Sequence, residues 1–128
     1  VILDGSHNPE GIKSLALTLK QNIKGKRLIA IIGMLKDKDV ELSLKILAPL
    51  VSEIIAVTPS NPRALSAYDF CKLARKFCDN VIAIENKQKA VDYLLSKNFD
   101  NSCLLVCGSL YLASELRPIL LKSLKKMQ

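Results

Sequence analysis

Val1-Ile2-Leu3-Asp4-Gly5-Ser6-His7-Asn8-Pro9-Glu10-Gly11 opens the chain and decides how the rest of it is read. A short apolar run ends on an acid, a tight polar loop follows, and a proline precedes a helical pattern. Asn8 suits an N-cap, and Pro9 suits the first helical position, where a missing N–H costs nothing. The layout puts Asp4 at the carboxyl end of a strand and His7-Asn8 at the amino end of a helix. Open α/β sheets bind ligands at this place, and a helix N-terminus favours anions such as phosphate.

The same alternation continues along the chain. Runs at 1–4, 27–34, 53–58, 81–85 and 103–108 read as strands. They are continuously apolar rather than alternating, as parallel strands buried on both faces require. The stretches between them read as helices. Ile12, Leu15, Ala16, Leu19 and Ile23 form one apolar stripe in the first. The second covers roughly 40–51, with Pro49 expected to kink or end it. The third starts at Ser66, a candidate N-cap, and carries Phe70, Leu73, Ala74 and Phe77. The fourth covers about 87–96. The last covers about 110–126, with Pro118 expected to interrupt it and a basic final turn to complement its dipole. Five βα units with short connections predict a three-layer α/β/α Rossmann-like sandwich around a mainly parallel five-stranded sheet with right-handed crossovers. The local pattern does not give the strand order. No linker or internal repeat divides the sequence, so residues 1–128 read as a single domain.

Composition narrows the classes. The 128 residues are 49% hydrophobic, enough for one domain with a real core and far from the disordered regime. No apolar run is long enough to cross a bilayer, which argues against a membrane partner. The net charge of +7 suits either plain solubility or attraction of an anionic ligand such as a nucleotide. Basic residues are dispersed and aromatics are only 5%, so nucleic acid is not expected as a partner. Cys71, Cys78, Cys103 and Cys107 lack metal-site spacing and read as buried small hydrophobes, in keeping with a reducing cytoplasm. Val1 begins inside a strand-like run, so the chain reads as an excised piece of a longer protein.

The polar residues that could do chemistry gather where strands end and helices begin. Asp4 has two readings: a loop cap, or an acceptor for vicinal ribose hydroxyls. His7, the single histidine, is either structural or a donor to phosphate. Lys36-Asp37-Lys38-Asp39 is either a solvated loop or part of a site, and Asp39 can N-cap the second helix. Asn61-Pro62-Arg63 is either a surface turn or a carboxylate grip, since a guanidinium fork matches a carboxylate. Gly108-Ser109-Leu110-Tyr111 opens the last helix, with Gly108 either admitting close backbone approach or simply packing. Parallel strands put these four loops on one edge of the sheet; the fourth strand ends on the less distinctive Glu85-Asn86.

Asp4-Gly5-Ser6-His7-Asn8-Pro9 resembles the segment that opens the C-terminal domain of the folylpolyglutamate synthase family, Mur-type ATP-dependent amide ligases that include dihydrofolate synthases. Gly33-Met34-Leu35-x-Asp37-Lys38-Asp39, Asn61-Pro62-Arg63 and Gly108-Ser109-x-Tyr111 are similar to further segments of these ligases, in the expected order. Ser6 stands where alanine is commoner, and Leu110 replaces an aromatic. The resemblance implies strand order 1-5-2-3-4, with an additional antiparallel edge strand preceding Val1. It implies a catalytic role for His7 at the phosphates, nucleotide contacts from Asp4, Gly5, Ser6 and Asn8, and substrate contacts from Arg63, Asn61, Lys36 and Ser109. Implied with these are ATP and Mg2+, a folate or dihydropteroate acceptor, L-glutamate, and an upstream P-loop domain holding the metal ligands. The implied enzyme is a cytoplasmic monomer, inactive as this piece alone. Two other readings share the sequence pattern: a cell-wall or cyanophycin ligase of the same superfamily, and a stand-alone α/β nucleotide-binding module.

Overall fold

A computed structural model describes residues 1–36, 39–97 and 101–127. Asp37 and Lys38, part of the charged segment singled out in the sequence, lie outside the described residues. Five strands, β1 (Ile2–Leu3), β2 (Arg27–Ile32), β3 (Glu53–Ala56), β4 (Val81–Ala83) and β5 (Ser102–Cys107), alternate with five helices. The helices are α1 (Pro9–Asn22), α2 (Val40–Leu47), α3 (Ala67–Ala74), α4 (Lys87–Ser96) and α5 (Leu110–Lys126). All strand pairs are parallel, and the order is β1-β5-β2-β3-β4, as the family resemblance implies.

The register explains why the strands are apolar throughout. Ile2, Leu105, Ala30, Ile54 and Val81 align across the sheet, and the next row is Leu3, Val106, Ile31, Ile55 and Ile82. Successive rows point to opposite faces. The first row packs with Ile12, Leu15 and Leu19 of α1, Leu44 and Leu47 of α2, and Phe70 of α3. Apart from Leu3, which is exposed on the edge strand, the second packs with Val91 and Leu94 of α4 and Leu112, Leu116 and Leu120 of α5. Connections β1→β2, β2→β3 and β3→β4 advance one way along the sheet with their helices on one face. β4→β5 returns the other way with α4 on the opposite face. All four crossovers therefore share one hand.

This order makes β5 the pivot. Its outgoing helix lies on one face, while the helices leaving its neighbours β1 and β2 lie on the other. Crevices open at such a switch, at the carboxyl ends of the strands.

Two proline expectations resolve differently. At Pro49 the α-helix ends on Leu47, and Ala48–Leu50 tightens into a 3-10 turn. Pro118, expected to interrupt the last helix, lies inside an unbroken α5. Proline there frees the carbonyl four residues back, on Ser114, and both residues are exposed, so water can take that bond. Leu112, Leu116 and Leu120 on the inner face are fully buried and hold the helix on the sheet across the gap. No helix among the described residues is long and apolar enough to cross a membrane.

Candidate functional site

Each α-helix among the described residues begins at the carboxyl edge of the sheet with a side-chain cap. Asn8 Oδ1 accepts from Gly11 N at 2.8 Å, Asp39 Oδ1 from Leu42 N at 3.3 Å, and Ser66 Oγ from Asp69 N at 3.1 Å. Asn86 Oδ1 accepts from Lys89 N at 2.9 Å, and Ser109 Oγ from Leu112 N at 3.3 Å. Five helix N-termini on one edge give it a positive bias that suits an anion.

The first loop is built by its own polar atoms. Asp4 N donates to Val106 O at 2.9 Å, carrying β1 one residue further alongside β5. Asp4 Oδ1 accepts from Ser6 N at 2.7 Å and closes the turn, so one oxygen takes the loop-capping role. Oδ2 has no hydrogen-bond partner among the described residues. Ser6 O accepts from Gly108 N at 2.9 Å, tying this loop to the end of β5. His7 Nδ1 lies 3.1 Å from Gly5 O. A carbonyl can only accept, so Nδ1 carries the proton and Nε2 is the nitrogen left for a ligand. Beneath the loop the Cys107 thiol is fully buried. Desolvation, with a smaller push from the Asp4 carboxylate, drives its pKa far above the ordinary thiol range, so it stays protonated.

The second and third loops grip each other. Lys36 N donates to Arg63 O at 2.7 Å, Leu65 N donates to Met34 O at 2.9 Å, and Leu35 and Ala64 form an antiparallel bridge. Asn61 Oδ1 accepts from Arg63 N at 2.9 Å, so this side chain shapes the turn that presents Arg63. Gly33 and Gly108 face each other where β2 and β5 end. A Cβ on Gly108, whose φ is +104°, would stand 2.5 Å from Gly33 O. Only glycine fits that gap.

His7, Leu35, Arg63, Ser109, Leu110 and Tyr111 line one cleft of about 310 Å3. Four strand-end loops thus meet in a single space. Ser109 is buried and keeps its hydroxyl hydrogen available while its oxygen caps α5. Gly5 packs against Leu110 beside this cleft. Lys36 and Asn61 lie on the same edge but not in the cleft wall: Lys36 is exposed, and Asn61 is spent on the Arg63 turn. Asn8 is likewise engaged as a cap.

A second polar cluster escaped sequence reading. Glu115 on α5 accepts from Ser60 N at 2.9 Å and from Ser60 Oγ at 2.7 Å. Lys87 at the start of α4 stands 3.3 Å from Glu115 and donates to Ser60 Oγ at 3.2 Å. Burial alone would raise the Glu115 pKa, but the two Ser60 bonds and the Lys87 ammonium outweigh it and hold the carboxyl below its usual range. The available signal was Glu115 four residues after Tyr111, on the same helical face.

A parallel α/β sandwich with a cleft at its switch point, rimmed by capped helix N-termini, defines the class of protein: an open, doubly wound α/β domain. The chain belongs to the Mur ligase, glutamate ligase domain family, whose pattern matches residues 1–110. The dihydrofolate synthase/folylpolyglutamate synthase of Bacillus subtilis is 32% identical over 120 residues, 91% of this chain and 27% of that protein. The folylpolyglutamate synthase of Lacticaseibacillus casei is 33% identical over 124 residues, 94% of this chain and again 27% of the relative. The Mycobacterium tuberculosis folylpolyglutamate synthase, solved with ADP and AMPPCP, matches with a TM-score of 0.84 at 28% identity, over 91% of this chain and 28% of that one. The chain therefore spans about a quarter of the length of these relatives.

Proposed function

We propose that residues 1–128 are one domain of a cytoplasmic, monomeric, ATP-dependent ligase that adds L-glutamate to a folate carboxylate, alone or together with dihydrofolate synthase activity on dihydropteroate. The observation that carries this reading is the cleft in which His7, Arg63 and Ser109 meet from separate loops. In the reaction, an oxygen of the acceptor carboxylate attacks the γ-phosphorus of ATP and ADP leaves. The amine of glutamate then attacks the acyl carbon, phosphate leaves, and the amine loses its proton.

Asp4 Oδ2 would accept from the ribose hydroxyls, with Gly5, Ser6 and Asn8 shaping the adjoining nucleotide contact. His7 Nε2 would donate to charge on the transferring phosphoryl group. Arg63 would hold a glutamate carboxylate, presented by Asn61 and supported by Ser109 and Lys36. Among the described residues no three His, Cys, Asp or Glu side chains gather as metal ligands. In this reading Mg2+ would enter with ATP, held by a P-loop domain of the same protein. Closing the two domains would exclude water from a hydrolysable acyl phosphate.

The test is product mass. The full-length protein, incubated with ATP, Mg2+, glutamate and either a reduced folate or dihydropteroate, should yield products heavier by one or more glutamyl groups, with ADP released in proportion. ADP release that ignores both the pteridine acceptor and glutamate contradicts the assignment.

A further inference from the structure

The cleft has two walls that belong to different parts of the chain. One is the loop 58–66, which carries Arg63. The other is the first turn of α5, with Ser109, Leu110 and Tyr111. On its far side the loop is fastened to the β2 end by backbone bonds from Lys36 and Leu65. On its near side its connection to α5 runs through Ser60, three residues before Arg63, and Glu115, one turn beyond Tyr111. We propose that Glu115 is a positioning residue: gripping Ser60 with both carboxylate oxygens, and braced by Lys87, it fixes the width of the cleft and the place of the Arg63 guanidinium opposite His7.

The chemistry suits that task better than bare stability. A carboxylate accepting from an N–H and an O–H of one residue fixes orientation as well as distance. The Lys87 and Glu115 side chains are half-buried, 18% and 29% exposed, while Ser60 itself is exposed. Thr58, at the loop's base, is held separately: its Oγ1 donates to Glu85 at 3.1 Å and accepts from Ala67 N at 2.8 Å. Losing Glu115 therefore loosens the stretch from Ser60 to Asn61, whose side chain holds Arg63 N, while Thr58 and the Lys36–Arg63 backbone bond still anchor the two ends of the loop.

The consequence for turnover rests on Arg63 receiving glutamate, and the experiment separates the two claims. In the full-length enzyme Glu115→Ala should raise the glutamate KM about tenfold while the ATP KM stays within about twofold. Glu115→Gln, which keeps one acceptor, should fall between Glu115→Ala and wild type. Amide hydrogen exchange gives a readout independent of activity: the Ser60 and Arg63 amides should exchange at least about tenfold faster in Glu115→Ala, with the Thr58 and Ala67 region unchanged. Unchanged exchange at Ser60 overturns the proposal. So does a uniform loss of all kinetic parameters together with a lowered melting temperature. If the wild type shows no glutamate-dependent turnover, the functional reading fails, and exchange alone decides whether Glu115 positions the loop.

Discussion

Replacing His7 with alanine in the full-length enzyme should lower kcat about 100-fold or more while moving the ATP KM by less than about threefold. The asymmetry follows from where His7 stands. Its Nδ1 is committed to Gly5 O, which fixes the ring and leaves Nε2 facing the cleft as a donor when protonated. Negative charge on the transferring phosphoryl group is redistributed most strongly in the transition state, so a donor aimed there contributes more to turnover than to ground-state binding. Steady-state kinetics over a full ATP range measure both constants at once. A variant with wild-type kcat, or one whose loss is entirely in KM, removes His7 from the reacting centre.

The second large effect is on the fold. Gly108→Ala should destabilise the chain by about 3–5 kcal/mol, lowering the melting temperature by roughly 10 °C or more. Two costs add. The φ of +104° is one that L side chains rarely adopt, and the new methyl would meet Gly33 O at 2.5 Å, with Ile32 and Met34 side chains at 3.0 Å. The neighbour that would have to move is backbone, at the ends of two central strands, so relief means prying β5 from β2. The same movement would pull Ser109 away from the cleft. Thermal and urea melts of the variant check this. A melting temperature within about 2 °C of wild type would show that the β2–β5 gap is looser than its geometry indicates.

These two residues also show what the sequence makes legible. His7 follows a strand of two residues and precedes a capped helix, and that local grammar alone puts it on the carboxyl edge of the sheet. Arg63 and Ser109 are placed by the same rule. The strand order is another matter. β5 inserts between β1 and β2 across the whole chain, and nothing local to residues 102–107 announces its neighbours; that order came from the family resemblance. Glu115 shows the limit for the site. Its partner Ser60 is 55 residues away, and each reads in sequence as an ordinary surface polar residue. Their meaning arises only once α5 is laid over the sheet. Pro118 errs in the opposite direction: local chemistry marks a helix break, and the buried leucines on either side override it.

In the proposed function this edge forms half of a nucleotide site, completed by a P-loop domain of the same protein. The most direct measurement is calorimetric titration of ATP with Mg2+ into the 128-residue chain and into the full-length protein, at physiological ionic strength. The chain should melt cooperatively on its own and yet bind ATP only weakly, in roughly the millimolar range, with any affinity seen at low salt fading as salt screens the net charge of +7. The full-length protein should bind at least about tenfold more tightly. Micromolar, salt-resistant binding by the chain alone would contradict the divided site and point to a self-sufficient nucleotide-binding module.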